Sequence, residues 1–355
     1  MDDDGGEKKM IRARRSVVLI FARVLCICTF MTFAFSVGAI DIKIATVAPQ
    51  GSPWDNALRE LAAKWFEISD GSVTIKVYSD GIVGDEPDML RKMRIGRLDG
   101  AAITQLALAE IHPEIMAIST PYLLRSIEEF RFLLASLAPD YESALLEEGF
   151  VPVSWAEGGW VHFFASKSLS SPEDLAQLAL AVPAGDDEML QIWRRLGFRA
   201  IPLSMNDYAM GLQTGMVTAF YAPPAAVAAF GWYGPISYMN AVRVAPAIGA
   251  VVLTEKAWRS VPEEYYAAFR ASASEIGDRL TDASIAVESE AIAAMQSQGV
   301  VVVESTDSER RAWAQLGISG GDLAVGRLFT AEAYQSVIDL LDSYRGNREN
   351  KPASE

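Results

Sequence analysis

Hydrophobic positions in this chain recur in two periods that alternate along its length. A short apolar run over residues 42–47 predicts a strand. Beyond Gly51, the residues Trp54, Leu58, Leu61, Trp65 and Ile68 fall three and four positions apart, the stripe of a helix laid on a sheet. Ser52 is placed to cap that helix, Pro53 takes its first position, and Asp70-Gly71 ends it. Val73, Ile75 and Val77 then alternate with Thr74, Lys76 and Tyr78, as in a half-buried strand. A turn over 81–84, a helix over 87–95 stopped by Gly96, and a strand over 101–104 complete a β-α-β-α-β unit.

The same grammar returns between Ser171 and Pro224. Ser171-Pro172-Glu173-Asp174 is a helix start, with serine as cap and acids in the first turn. Strands over 178–182, 200–203 and 217–221 enclose helices over 188–196 and from Ser204 to Gly215. Strands alternating with helices predict an α/β fold with parallel sheets, and two such units predict two lobes with a cleft between them. A ligand of such sheets sits at the carboxyl ends of the strands. Here those ends carry Pro183-Ala184-Gly185 and Tyr221-Ala222-Pro223. Elsewhere the pattern predicts helices over 127–148, 262–298, 308–316 and 330–344, and strands over 250–253 and 300–303. Gly158-Gly159 reads as a flexible point in a crossover, the proline-punctuated stretch 110–124 as a segment near the hinge, and the polar tail after Gly346 as disordered.

The first 39 residues break the pattern. Six basic residues up to Arg23, an apolar run over 24–35 and the small residues Gly38-Ala39 read as a secretory signal peptide, which places the remainder in the periplasm. Both cysteines, Cys26 and Cys28, fall in it, so the exported chain holds neither a disulfide nor a reactive thiol. That segment takes six of the 31 basic and four of the 46 acidic residues, leaving 25 against 42, a net charge of −17. Such a surface repels nucleic acid and anionic lipid headgroups.

Candidate chemistry is sparse. The two histidines, His112 and His162, have no metal-ligand spacing, and no phosphate-binding glycine loop occurs. His162 reads as a packed or hydrogen-bonded core residue and His112-Pro113 as a turn. Asp186-Asp187-Glu188 reads as a helix start, where the dipole favours acids, rather than as a cation site. The sequence therefore predicts a protein without catalytic residues, metal or cofactor.

Several segments resemble the solute receptors of TRAP transporters of the DctP type. In the first unit these are Ile42-Lys43-Ile44-Ala45, Ser52-Pro53, the alternating strand from Val73, Gly81-x-x-Gly84 and Gly96-x-Leu98-Asp99. In the second they are Ser171-Pro172-x-Asp174-Leu175, Val182-Pro183, Leu212-Gln213-Thr214-Gly215 and Pro223, followed by the long helix and the Gly299-Val300 strand. The resemblance implies a two-lobed periplasmic-binding-protein-like α/β fold, with a central cleft and a long helix spanning both lobes. One lobe comprises 40–160 and about 249–284; the other comprises 161–248 and about 285–345. It also implies an extracytoplasmic receptor that closes on a solute and hands it to membrane permease subunits.

Three departures from the family pattern stand out. The arginine two places before the proline of an R-V-P segment, which pairs an organic acid, is Ala181 here; the arginine of a G-x-R segment is Val161; and the asparagine before the later proline is Ala222. Together with Trp54, Trp155, Trp160, Pro183, Tyr208, Phe220, Tyr221 and Trp232, these are the candidate ligand-binding residues. They predict a cleft rebuilt for a hydrophobic or amphipathic, lipid-like solute. Two alternatives stand beside it: a carboxylate held by a displaced cation such as Arg125, Arg199 or Arg243, and a sensor or scaffold that transports nothing. The branch of the family without the arginine further implies a periplasmic helical-repeat (TPR) partner.

Overall fold

A computed structural model describes residues 39–185 and 187–349. The expected leader, apart from Ala39, lies outside those residues, as do both cysteines, Asp186 and the last six positions. In chain order the elements are β1 (Ile40–Thr46), α1 (Pro53–Ile68), β2 (Val73–Tyr78), α2 (Glu86–Arg94), β3 (Gly100–Thr104), α3 (Gln105–Ala109), a 3-10 segment (Pro113–Ser119) and α4 (Ile127–Glu147). Then come β4 (Phe150–Trp160), β5 (His162–Ala165), α5 (Pro172–Ala176), β6 (Ala179–Pro183), α6 (Asp187–Arg195), β7 (Arg199–Leu203), α7 (Tyr208–Gln213), β8 (Ala219–Ala222) and α8 (Pro224–Ala229). The chain finishes with β9 (Tyr238–Asn240), β10 (Pro246–Thr254), α9 (Glu255–Ser260), α10 (Tyr266–Ser297), β11 (Val301–Val303), α11 (Asp307–Ala324) and α12 (Ala331–Glu349).

Two sheets result. The first has the order β2-β1-β3-β10-β4 and the second β11-β9-β5-β8-β6-β7. β1 pairs in parallel with β2 and β3, while β10 lies antiparallel to both β3 and β4. In the second sheet β6 is parallel to β7 and β8, and β5 runs against β8 and β9. Each is thus an α/β sheet with one strand of opposite sense in its interior, β10 in the first and β5 in the second.

Local chemistry explains where the helices begin. Ser52 Oγ accepts from the Asp55 amide at 3.4 Å, and Pro53 opens α1. Ser171 and Asp174 form a reciprocal capping box at α5, and Thr306 and Glu309 form another at α11. The long helix starts later than its sequence pattern predicts. Residues 263–265 form a 3-10 turn behind Pro262, and α10 proper begins at Tyr266.

α10 crosses from one sheet to the other. Phe269, Ala273 and Ile276 pack with the Val73, Val151 and Leu253 core of the first sheet, and Met295 packs with Phe164, Phe220 and Val227 of the second. Gly277 lets the helix lie flush on β4, because a methyl group there would collide with Ser154 Oγ and the Trp155 carbonyl. The C-terminal helix departs from the expectation that placed it with the second lobe. α12 runs on to Glu349, past the expected start of the tail, and its Val337 and Leu341 pack with Phe130, Leu133 and Tyr141 of α4.

Candidate functional site

A cavity of about 210 Å³ lies where the carboxyl ends of both sheets converge. The first sheet contributes Thr46 to Pro49 after β1 and Thr104 to Leu106 after β3; the second contributes Pro183 after β6, Met205 after β7 and Tyr221 to Pro223 after β8. A second chamber of about 300 Å³ adjoins it, and the two share Val47, Glu86, Leu106, Pro183 and Met205 in their walls.

Seven of the eleven candidate residues line the cavity: Trp54, Val161, Pro183, Tyr208, Tyr221, Ala222 and Trp232. Trp54 can lie across β10 because Gly249 beneath it has no side chain; a Cβ there would stand 2.5 Å from the indole. Tyr208 and Trp232 pack with ring centroids 5.0 Å apart, and Phe230 stacks on Trp232 at 4.7 Å.

The other four do not line it. Ala181 and Phe220 are 0 % exposed, in one apolar cluster with Phe164, Tyr208 and Trp232. Successive strand side chains point to opposite faces, so Tyr221 reaches the cavity while Phe220 stacks on Phe164 at 5.3 Å. Trp155 turns toward α4, its ring 6.4 Å from Tyr141. Trp160 is buried with the first sheet's core under the Arg243 guanidinium, 5.5 Å from the ring centre.

Charge in the cavity is of one sign. Among the described residues, no lysine, arginine or histidine lines it, and its single ionisable acid is Glu86. Arg125, Arg199 and Arg243 all lie outside both chambers. In the adjoining chamber Arg327 stands alone among Asp85, Glu86, Glu110, Asp187 and Glu188, and it is 3.3 Å from Glu188.

Glu86 was not among the candidates. It opens α2, where an acid needs no explanation beyond the helix dipole, so its pattern in sequence is that of an ordinary first-turn residue. In the structure it is buried, and its two oxygens accept from the Thr104 amide at 2.9 Å and the Thr104 hydroxyl at 2.7 Å. Burial pushes its carboxyl up to about 7, against the opposing pull of those two hydrogen bonds. In its ionised form this carboxyl accepts a hydrogen bond from a bound hydroxyl or amine and repels a second carboxylate.

The wall beside Trp54 is held by Asp55, which is fully buried. It accepts from the Gly51 amide at 2.8 Å, from Arg59 Nε at 2.9 Å and from the Ser79 hydroxyl. Burial alone would raise this carboxyl; the bonds from Arg59, Gly51 and Ser79 outweigh it and hold Asp55 below its ordinary range. Gln105 ties the opposite wall, its Oε1 accepting from the Ile248 amide at 2.8 Å. His162 is a hydrogen-bonded core residue, its Nδ1 3.0 Å from the Asn240 carbonyl.

A cavity between two α/β sheets, crossed by one long helix, defines a clamp-type binding protein. The model of the DctP family, bacterial extracellular solute-binding protein family 7, matches residues 44–318, and the chain belongs to that family. A solute-binding protein of Chromohalobacter salexigens is 23 % identical over 229 residues, 64 % of this chain and 68 % of that protein. The sialic acid-binding periplasmic protein of Vibrio cholerae is 22 % identical over 286 residues, covering 78 % of this chain and 87 % of that one. Among solved structures, a TRAP periplasmic solute-binding protein from Xanthobacter autotrophicus Py2 with bound β-D-galacturonate superposes with a TM-score of 0.78 at 18 % identity, over 85 % of this chain and 99 % of the other. Members of the family are extracytoplasmic receptors that bind a small-molecule solute for TRAP membrane permeases, and they are not enzymes.

Proposed function

We propose that this receptor takes a hydrophobic or amphipathic, lipid-like solute, with its apolar body in the cavity and a hydrogen-bond donor on Glu86. The observation that carries the reading is the absence of any cation from the cavity wall among the described residues. A compact organic acid placed there would lose its hydration, find no guanidinium and face a second carboxyl, a cost of several kcal/mol. An apolar chain instead gains about 0.8 kcal/mol for each buried methylene. Within this reading Trp54, Val161, Pro183, Tyr208, Tyr221, Ala222 and Trp232 contact the solute, while Trp155, Trp160, Ala181 and Phe220 shape the wall from behind. The lobes divide near residues 160 and 248, with α10 shared between them. The leader directs export to the periplasm, and a periplasmic TPR-repeat protein serves as partner.

A second reading rests on Arg327. A long carboxylate could place its acid in the adjoining chamber against that side chain, which would first have to leave Glu188. Titration calorimetry separates the two. The proposal expects binding of a long-chain alcohol or monoacylglycerol and none of D-galacturonate. Galacturonate binding that is lost in R327A and weakened by salt would establish the second reading instead.

A further inference from the structure

Three connections run between the two sheets, and they meet at one buried polar cluster. The first, β4 to β5, contributes Glu157 and His162; the second, β9 to β10, contributes Arg243; the third is α10, which contributes Glu288. Glu157 is 0 % exposed, and among the described residues its carboxyl oxygens make no full hydrogen bond, only a weak approach from the Gly159 amide. Its amide donates to Thr281 Oγ1 of α10 at 3.0 Å, which ties the backbone of this segment to the long helix. Glu288 Oε2 accepts from the Trp160 amide at 3.1 Å. Its other oxygen stands 4.0 Å from His162 Nε2 and 3.9 Å from the Arg243 guanidinium.

The hydrogen bonds fix where the imidazole proton lies. A carbonyl only accepts, so His162 Nδ1 carries the hydrogen that meets Asn240 O, and Nε2 presents a lone pair. That lone pair is buried, without a hydrogen-bond partner among the described residues, and turned toward Glu288. Glu288 and the imidazole lone pair therefore face each other with no proton assigned between them, and the charge of Glu288 bears on the buried Glu157 nearby. Few charges offset this. Arg243 is 56 % exposed, and Arg131 of α4 is engaged with Asp282 at 2.5 Å. β10 and α8, which also pack here, carry no titratable side chain, and β8 sets Ala222 opposite His162.

We propose that Glu157, Glu288 and His162 form a proton-binding site in the hinge, whose occupancy couples proton uptake to the arrangement of the two lobes. With the proton bound, a Glu288 hydroxyl donates to the free imidazole nitrogen and draws α10 to β5. When the proton leaves for solvent, two buried carboxylates and a lone pair repel, and the three connections separate. Burial, then the neighbouring Glu288, pushes Glu157 up to about 7, and burial likewise raises Glu288, so the step falls near neutrality. His162 is pushed down to about 4 by burial and stays neutral through it. The movement reaches the ligand, because Gly158 and Val161 of the same segment line the cavity.

The test needs no solute. The full chain is titrated from about pH 5 to about pH 9, following the carboxylic-acid carbonyl band by infrared spectroscopy and the radius of gyration by small-angle X-ray scattering. The expected result is an increase in radius that shares its midpoint with loss of the acid band. E157Q and E288Q, which stay uncharged at all pH, should hold the small radius throughout. E86Q should remove part of the band and keep the step in radius. A wild-type radius that stays constant while the band titrates overturns the proposal, whether or not the variants fold. So does a step that survives in both E157Q and E288Q.

Discussion

At the scale of single residues, the proposed site turns on what three positions lack. Ala181, Val161 and Ala222 stand where the family resemblance expects two arginines and an asparagine, and among the described residues Glu86 is the one carboxyl in the cavity wall, with no cation beside it. Ala181 is not merely a truncated arginine, since its methyl is sealed under the cluster of Tyr208, Phe220 and Trp232. Restoring the arginine by A181R should therefore bury an unpaired guanidinium rather than rebuild an acid site. Urea denaturation should show a loss of at least about 3 kcal/mol, with no gain of galacturonate binding in calorimetry. Glu86 should behave differently. E86Q keeps the fold and weakens a hydroxyl-headed amphiphile by about 10- to 100-fold, the value of a hydrogen bond to a charged group. An unchanged affinity would remove Glu86 from the binding reading.

At the scale of elements, much of the fold was legible and the facing of its side chains was not. Caps placed the starts of α1 and α5, because Ser52 and Ser171 bond local amides whatever surrounds them, whereas the helix expected over 308–316 runs on to Ala324. The alternation of strands and helices gave two α/β units. Sequence did not reveal which of two adjacent strand residues points into the cleft. Tyr221 lines it and Phe220 does not, although both are aromatic and both follow the same pattern of neighbours. Trp155 and Trp160 failed as cavity residues for the same reason, as their direction depends on α4 and the Arg243 segment packing against β4. Glu86, Glu157 and Glu288 were invisible as special groups because burial, not sequence context, alters them. Close contacts between elements are also absent from the pattern. Gly249 beneath Trp54 and Gly277 beneath α10 each mark one. G249A should push the Trp54 ring out of place, at a cost of about 1–3 kcal/mol by chemical denaturation and with a shift in tryptophan emission. An unchanged spectrum and stability would show that the indole has room to move.

At the scale of the whole molecule, the buried acids set how stability follows pH. Glu86 and Glu157 are both pushed up to about 7 from an ordinary 4.5, so between those values the folded state holds protons that the unfolded chain has lost. Stability from these groups is complete at the acid end of that window and falls as pH rises through about 7. His162 works in the opposite sense. It is held down to about 4 from 6.5, so over that interval the unfolded chain binds the extra proton and stability rises with pH. One acid and the histidine nearly cancel below about 6.5, leaving a net decline that steepens toward neutrality. Melting temperature should accordingly drop between about pH 6 and about pH 8, and the drop should shrink in E157Q; a rise over that range would contradict the burial of these acids.

In the proposed reading the same cavity determines what the receptor carries. Native mass spectrometry of the purified full chain, followed by organic extraction, identifies any molecule retained in it. The cation-free wall predicts one molecule with an extended apolar body per chain, released on extraction and absent from a W54A/W232A variant. A stoichiometric sugar acid or small dicarboxylate would contradict it, because the described cavity holds nothing to pair with a compact anion.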